Sequence, residues 1–332
     1  MILPPSPSPE RRTPVEHLEV SAAEAGQRLD NYLHRRLGTL PRSRLYRLIR
    51  KGEVRVNGKR ARPETRLSAA DRIRVPPLRL SAPADPTQPP AGVLERIRAA
   101  IVYEDARVIG LDKPAGIAVH GGSGTSYGVI EALRALRPGE TLELAHRLDR
   151  DTSGCLLIAR KAAVLRELHA LMRTSSLEKR YLALLKGKWE LGKKRIDLPL
   201  RTDTRVHGER TVRVATDGKA SVSHFRPVQF FGRTATLVEV TLETGRTHQI
   251  RVHAAHAGHP LAGDQKYGDA SFNATLAALG LRRMFLHASS LSFSWPQGGE
   301  FSLSAPLPAE LGTLLEQLAL PGGRRGRSQG TR

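Results

Sequence analysis

The chain has 332 residues, 39% apolar and 26% charged, the balance of a globular protein built as one large domain plus a small one, or as two of ordinary size. Its 53 Lys+Arg against 32 Asp+Glu give a formal charge of +21, which points to a polyanionic partner, either nucleic acid or an anionic membrane surface. No run approaches the ~18 apolar residues of a spanning helix, the opening MILPPSPSPE has neither a basic nor an apolar leader region, and the lone Cys155 excludes an intrachain disulfide and a Cys-based zinc site. A cytoplasmic, metal-poor protein that meets RNA or DNA is expected.

Residues 1–17 are rich in Pro, Ser and Arg and should be flexible. The positive charge then concentrates: residues 28–79 hold 16 basic and 4 acidic side chains, a net of +12. Within this stretch Leu29, Tyr32, Leu33 and Leu37 recur at helical spacing, and Gly38 is a plausible stop. Ser43 is placed to cap a second helix, with Leu45, Leu48 and Ile49 on one face and Arg44, Arg47, Arg50 and Lys51 on the other. Gly52 ends it, and Val54 and Val56 alternate into the Asn57-Gly58 hairpin turn. Leu67, Ile73 and Val75 complete a small sheet. Two helices and a hairpin thus display one basic face, over residues 18–77.

That order resembles the S4 RNA-binding domain, through Gln27-Arg28-Leu29-Asp30, Pro41 with Ser43, Ile49 to Gly52, and Val54-Arg55-Val56-Asn57-Gly58-Lys59. The resemblance implies docking on RNA by shape and phosphate contacts, with Arg28, Ser43, Arg44, Arg47, Arg50, Lys51, Arg55, Asn57 and Lys59 as the contact residues. Four prolines within residues 78–90 then mark an interdomain linker, taken as 78–92.

From residue 93 to about 318 the pattern mixes hairpins and helices without regular βα alternation, the mark of an α+β domain on a mostly antiparallel sheet. Residues 112–128, DKPAGIAVHGGSGTSYG, lack the closing Gly-Lys-Ser/Thr of a phosphate loop, and Gly122, Gly124 and Gly128 miss the dinucleotide spacing by one. A loop that lets RNA approach closely fits them better. A helix is expected at 129–136, and HRLDRDTSG at 146–154 sets Asp149 and Asp151 among Arg147 and Arg150 just before an apolar strand at 155–159. Cations keep a carboxylate ionised and available as nucleophile or base, although a surface ion-pair loop would look the same. A helix at 163–173 and a strand at 181–185 follow. Val212 and Val214, then Ala220 and Val222, flank Asp217-Gly218 as an expected hairpin, and 235–242 reads as a buried strand. Next comes TGRTHQIRVHAAHAGH, residues 244–259. Arg246 and Arg251 would repel a cation, so His253, His256 and His259 are expected to pack and make polar contacts rather than hold a metal. The Gly/Arg/Ser tail, 319–332, is expected to be disordered.

HRLDRDTSG, EKRYLAL at 178–184, TGRTHQIRVH and DKPAGIAVHGG together resemble the RluA family of pseudouridine synthases, from Tyr103 to about 318, and an S4 module ahead of the catalytic domain fits its two-domain members. HGGSGTSYGVIEALRALRPG and HRLDRDTSGCLLIARK are most similar to the members that act on large-subunit ribosomal RNA. The resemblance implies Asp149 as the catalytic nucleophile, Tyr181 as the residue that packs against the uracil and a candidate base, and Arg246 as the partner of the catalytic carboxylate. It places Asp151 outside the catalytic position, and Arg147 and Arg150 toward the RNA. Isomerising uridine adds and removes nothing, so no cofactor and no metal are expected, and the protein should act as a monomer. Other ribosomal or transfer RNA uridines are the alternative target. A catalytically silent assembly factor would need no Asp149, Tyr181 and Arg246 set. A glycosidase would need a second acid to activate water.

Overall fold

A computed structural model describes residues 10–37, 40, 42–81, 89–121, 127–204 and 210–320. The chain divides into two compact units, Met1–Thr87 and Gln88–Arg332. In the first, helices Leu29–Arg36 and Arg42–Lys51 lie with a four-stranded antiparallel sheet in the order Glu16–Glu19, Arg72–Val75, Arg55–Val56, Lys59–Arg60. The helical stripe buries Leu29, Tyr32 and Leu33 against Leu45, Leu48 and Ile49, and Val54, Val56, Ile73 and Val75 close the core. At roughly 1.5–3 kcal/mol for each fully buried aliphatic side chain, this core can hold a module of its size. Asn57 (φ 50°) and Gly58 (φ 75°) are both left-handed, the geometry a two-residue hairpin turn requires.

Three local expectations change. Ser43 is the second residue of its helix rather than its cap, because the helix already begins at Arg42. The N-terminal stretch expected to be flexible forms strands at Glu10–Arg12 and Glu16–Glu19; the first pairs antiparallel with Arg79–Ser81, inside the expected linker. Leu67 is buried but lies outside any strand. Gly38, Pro41, the remaining linker prolines between 82 and 88, Gly122, Gly124 and the tail from 321 lie outside the described residues.

The second unit is built on a ten-stranded sheet. Its main path runs Lys194–Asp197, Val222–Phe231, Ala235–Leu242, Glu178–Lys186, Leu286–Ser294, Ser153–Ala159, Val108–Lys113, Ile101–Glu104, with Glu300–Ser304 beside the fifth strand and Glu143–Leu144 beside the sixth. The named pairings are antiparallel except that of Ser153–Ala159 with Leu286–Ser294. All seven residues of Ser153–Ala159 are buried, so both faces of this strand are covered. Helices Ala91–Ala99, Val129–Leu136, Ala162–Arg173, Gln249–His256, Ala270–Ala278 and Ala309–Ala319 flank the sheet.

The hairpin expected across Asp217-Gly218 does not form. A turn is there, closed by Gly218 N–H to Ala215 O, but Arg210–Val214 pairs with Leu200–Thr204 while Val222–Phe231 pairs with Lys194–Asp197 and Ala235–Leu242. Short valine alternation marks strands without saying which partner is nearer in space.

Candidate active site

Asp149 hangs on the turn that feeds the central strand Ser153–Ala159. The turn is pinned from below: Lys113, fully buried, donates from Nζ to the carbonyls of Pro114 (2.9 Å), Ile117 (2.9 Å) and Arg150 (3.1 Å). Gly154 is obligatory in the same motif. Its φ is 105°, and a Cβ there would stand 2.2 Å from the carbonyl oxygen of Ala288 on the parallel neighbour. Ala288 is in turn in register with Tyr181. One residue of the sheet thus separates the root of the Asp149 loop from the tyrosine.

The segment TGRTHQIR is shaped by its polar side chains. Buried Gln249 accepts from Thr244 Oγ1 (2.8 Å) and from the Arg246 amide (3.0 Å), and donates to Val222 O and Ser223 Oγ (both 2.9 Å). This closed network holds His248 in the left-handed region and starts helix Gln249–His256 in a fixed direction. Arg251, one turn in, is thereby aimed at Asp149.

Arg251 Nη1 lies 3.1 Å from Asp149 Oδ2, while its Nε and Nη2 clamp Asp264 at 2.7 and 2.8 Å. Asp264 is fully buried and also accepts the amides of Lys266 and Tyr267. Burial alone would raise the Asp264 carboxyl, and Arg251 with the amides more than offsets this, so it stays ionised below the usual carboxylate range. Burial likewise works against the Arg251 guanidinium, and its bonds to Asp264 and Asp149 hold it above its ordinary value. The result is a fixed cation with one fork spent on Asp264 and one N–H left for Asp149.

Here the expectation for Arg246 is corrected. Its Nε donates to Ala220 O at 3.1 Å, the side chain is exposed, and the bond to Asp149 belongs to Arg251. Both arginines sit in the motif, five residues apart, and only the helix start at Gln249 decides which one turns inward. Arg246 still lines the small cavity of about 70 Å³ shared by Asp149 and Tyr181.

Tyr181 is 6% exposed, and burial, then the Asp149 charge, push its phenol above the ordinary value. Held protonated, the phenol presents a flat face to the small cavity it shares with Asp149. Asp149 also lines a cleft of about 520 Å³, within the usual range for a small-molecule site. Arg147, Arg150 and Lys266 line it together with His248 and Arg251. Arg147 and Arg150 are exposed, with Arg150 paired to Asp151 at 3.3 Å.

Other expected residues are placed as follows. His253 is spent on Ser223 Oγ (3.0 Å) and Leu198 O (3.1 Å), and His259 on Lys186 O (2.9 Å). Gly128 packs against backbone, with Ala118 O and His120 N each 2.6 Å from its virtual Cβ, so its role is chain packing rather than RNA approach. In the basic unit, Arg47, Arg50, Lys51, Arg55 and Lys59 are exposed and Arg44 is half-buried. Arg28 differs, since it is bonded to Asp30 at 2.7 and 3.0 Å. Asn57 differs too: its amide donates to Asp71 Oδ1 and accepts from the Arg72 amide, both at 2.8 Å, which staples the hairpin and leaves little for RNA. The Ser43 side chain lies outside the described residues. The sequence reading missed Asp264, Tyr267 and the pairing of Arg251. The cue was the acidic and aromatic GDQKYGD turn at 263–269, whose contact with 244–251 only the fold supplies.

Residues 107–256 match the RNA pseudouridylate synthase family, and residues 27–73 the S4 domain. The chain is similar to the ribosomal large subunit pseudouridine synthase C of Pasteurella multocida, 49% identical over 91% of this chain and 95% of that protein. It is also similar to the protein of that name from Escherichia coli K12, 47% identical over 92% and 97%. Among solved structures it resembles human RNA pseudouridylate synthase domain containing 4, with a TM-score of 0.57 at 25% identity, covering 68% of this chain and 95% of that one.

Proposed function

The chain belongs to the RNA pseudouridylate synthase family, and from that premise we propose that it isomerises uridines of large-subunit ribosomal RNA to pseudouridine, with Asp149 as the reacting carboxylate. The observation that carries this is the geometry around Asp149: a carboxylate held by one half-buried arginine, opening on a cleft of about 520 Å³ and backed by a buried tyrosine.

The reaction breaks N1–C1′, turns the uracil, and joins C5 to C1′. The C5 proton leaves and N1 takes one up, so the atoms balance within one nucleotide and no cofactor is required. Positive charge develops at C1′ as the glycosidic bond breaks, and a carboxylate placed there stabilises or traps it, as the acids of glycosidases do. Arg251, 3.1 Å from Oδ2, holds Asp149 oriented before the sugar arrives. Tyr181 supplies a face for the uracil, where stacking is worth ~1–3 kcal/mol per base. The target uridine must leave its stack to reach Asp149, and the unstacking cost favours loops and bulges. Arg147, Arg150 and Arg246 meet the flanking phosphates. The S4-like module, 18–77, docks a structured RNA through its exposed cations, and 93–318 performs the chemistry on a monomer in the cytoplasm.

The test is Asp149→Asn. Pseudouridine formation on the protein-free large-subunit RNA should vanish while RNA affinity stays within about twofold, since one phosphate-distant charge is changed. A fully active variant would overturn the assignment.

A further inference from the structure

His248 lines both cavities at Asp149 and has no part in the chemistry described so far. Its backbone is left-handed (φ 54°, ψ 21°), a conformation that costs a non-glycine residue energy and is kept here by the Thr244–Gln249 network. The ring is thereby turned to face Asp149. Its Nδ1 is 2.9 Å from the hydroxyl of Tyr267, and that same hydroxyl accepts the Val212 amide N–H at 2.9 Å. A phenol has one proton to give. With the Val212 N–H already pointing at the oxygen, the phenol proton is free to go to His248 Nδ1, the arrangement in which Nδ1 accepts and the ring N–H sits on Nε2.

Nε2 lies 3.9 Å from Asp149 Oδ2, the same oxygen that Arg251 holds at 3.1 Å. This is longer than a hydrogen bond, as contacts in substrate-free sites commonly are. Asp149 Oδ1 makes no hydrogen bond among the described residues. Burial lowers the imidazole's pKa, with Arg251 and Lys266 adding to it against the pull of Asp149 and Asp264, so a neutral donor faces the carboxylate.

We infer that His248 is a positioning residue for Asp149, a neutral imidazole locked by Tyr267 as the Nε2–H tautomer, which together with Arg251 occupies Oδ2 and leaves Oδ1 to face the ribose. The inference rests on Asp149 being the reacting carboxylate. It also gives the Leu200–Thr204/Arg210–Val214 hairpin a part in the site, because Val212 orients the Tyr267 hydroxyl.

The experiment compares His248→Asn, His248→Gln, Tyr267→Phe and Asp149→Asn on RNA carrying tritium at uracil C5, which is released as the C5–C1′ bond forms. Asparagine tolerates the left-handed backbone and reaches Tyr267 but not Asp149, so kcat should fall about 10- to 100-fold, the scale of outer-shell partners, with KM and melting temperature unchanged. Glutamine returns an N–H to the Nε2 position and should recover most of that loss. Tyr267→Phe releases the tautomer lock and should lower kcat by less than His248→Asn does. Wild-type kcat in His248→Asn, with Asp149→Asn inactive, overturns this inference alone. Equal loss in the asparagine and glutamine variants with a lowered melting temperature overturns it too, by showing a structural role. Activity in Asp149→Asn instead overturns the reading of Asp149 itself.

Discussion

Arg47 and Arg251 are the same residue type used in opposite ways. Arg47, with Arg50, Lys51, Arg55 and Lys59, sits exposed on a small unit whose net charge over residues 28–79 is +12. Arg251 is 12% exposed, its fork closed on Asp264 and its remaining N–H on Asp149. Exposed cations attract phosphates diffusely and are screened beyond about 8–10 Å by physiological salt. A desolvated, paired arginine does the reverse: it attracts nothing from solution and fixes one carboxylate in one orientation. The first arrangement suits docking and the second suits chemistry, and the chain keeps them in separate units.

Arg251→Met should break the buried half of this contrast most severely. It leaves the fully buried Asp264 without its cation, a loss of ~3–5 kcal/mol for a pair of this kind. Denaturant unfolding followed by the two tryptophans, Trp189 and Trp295, both in the large unit, reads it directly. Retention of both stability and activity would show that the clamp is dispensable.

Acidification should find the large unit next. Burial is the leading cause that lowers the pKa of His146 (to about 3), His248, His253 and His287, all four in that unit. In the unfolded chain each takes a proton near pH 6.5. Their stabilising effect is therefore complete above about pH 6.5 and is lost as pH falls from there toward the folded values, at up to ~1.4 kcal/mol per pH unit for each. A melting temperature of the large unit that stays flat from pH 7 to 4.5 would contradict the buried-neutral assignment.

Smaller effects belong to the exposed cations near the cleft. Arg246→Ala should raise KM a few-fold and leave kcat alone, since among the described residues its guanidinium holds the Ala220 carbonyl rather than Asp149. A collapse of kcat in steady-state assays would restore it to the pairing role that the sequence suggested.

The fold and the candidate site were legible to different depths. Motifs that are contiguous in the chain, such as HRLDRDTSG ahead of its strand or Asn57-Gly58 in its hairpin, carry their structure locally and could be read. So could the strands and helices of strong periodicity, Ala235–Leu242 and Val129–Leu136 among them. What could not be read depends on contacts across long separations or on a choice between two nearby strand partners. Arg251 reaches Asp149 over 102 residues, and the partner of Arg210–Val214 is Leu200–Thr204 rather than the run beyond the glycine turn. Within TGRTHQIR two arginines had equal claim, and Gln249, by fixing where the helix begins, chose between them.

The separation of docking from chemistry is tested most directly by one variant, Arg47→Ala/Arg50→Ala/Lys51→Ala/Lys59→Ala, assayed for RNA affinity and for single-turnover rate at saturating enzyme. The affinity should weaken, and the slope of log K against log salt should shrink by roughly 0.7–0.9 for each phosphate that the variant no longer neutralises. The saturating rate should equal that of the wild type. A saturating rate that falls with the affinity would contradict the account, because it would place part of the catalytic machinery in the basic unit.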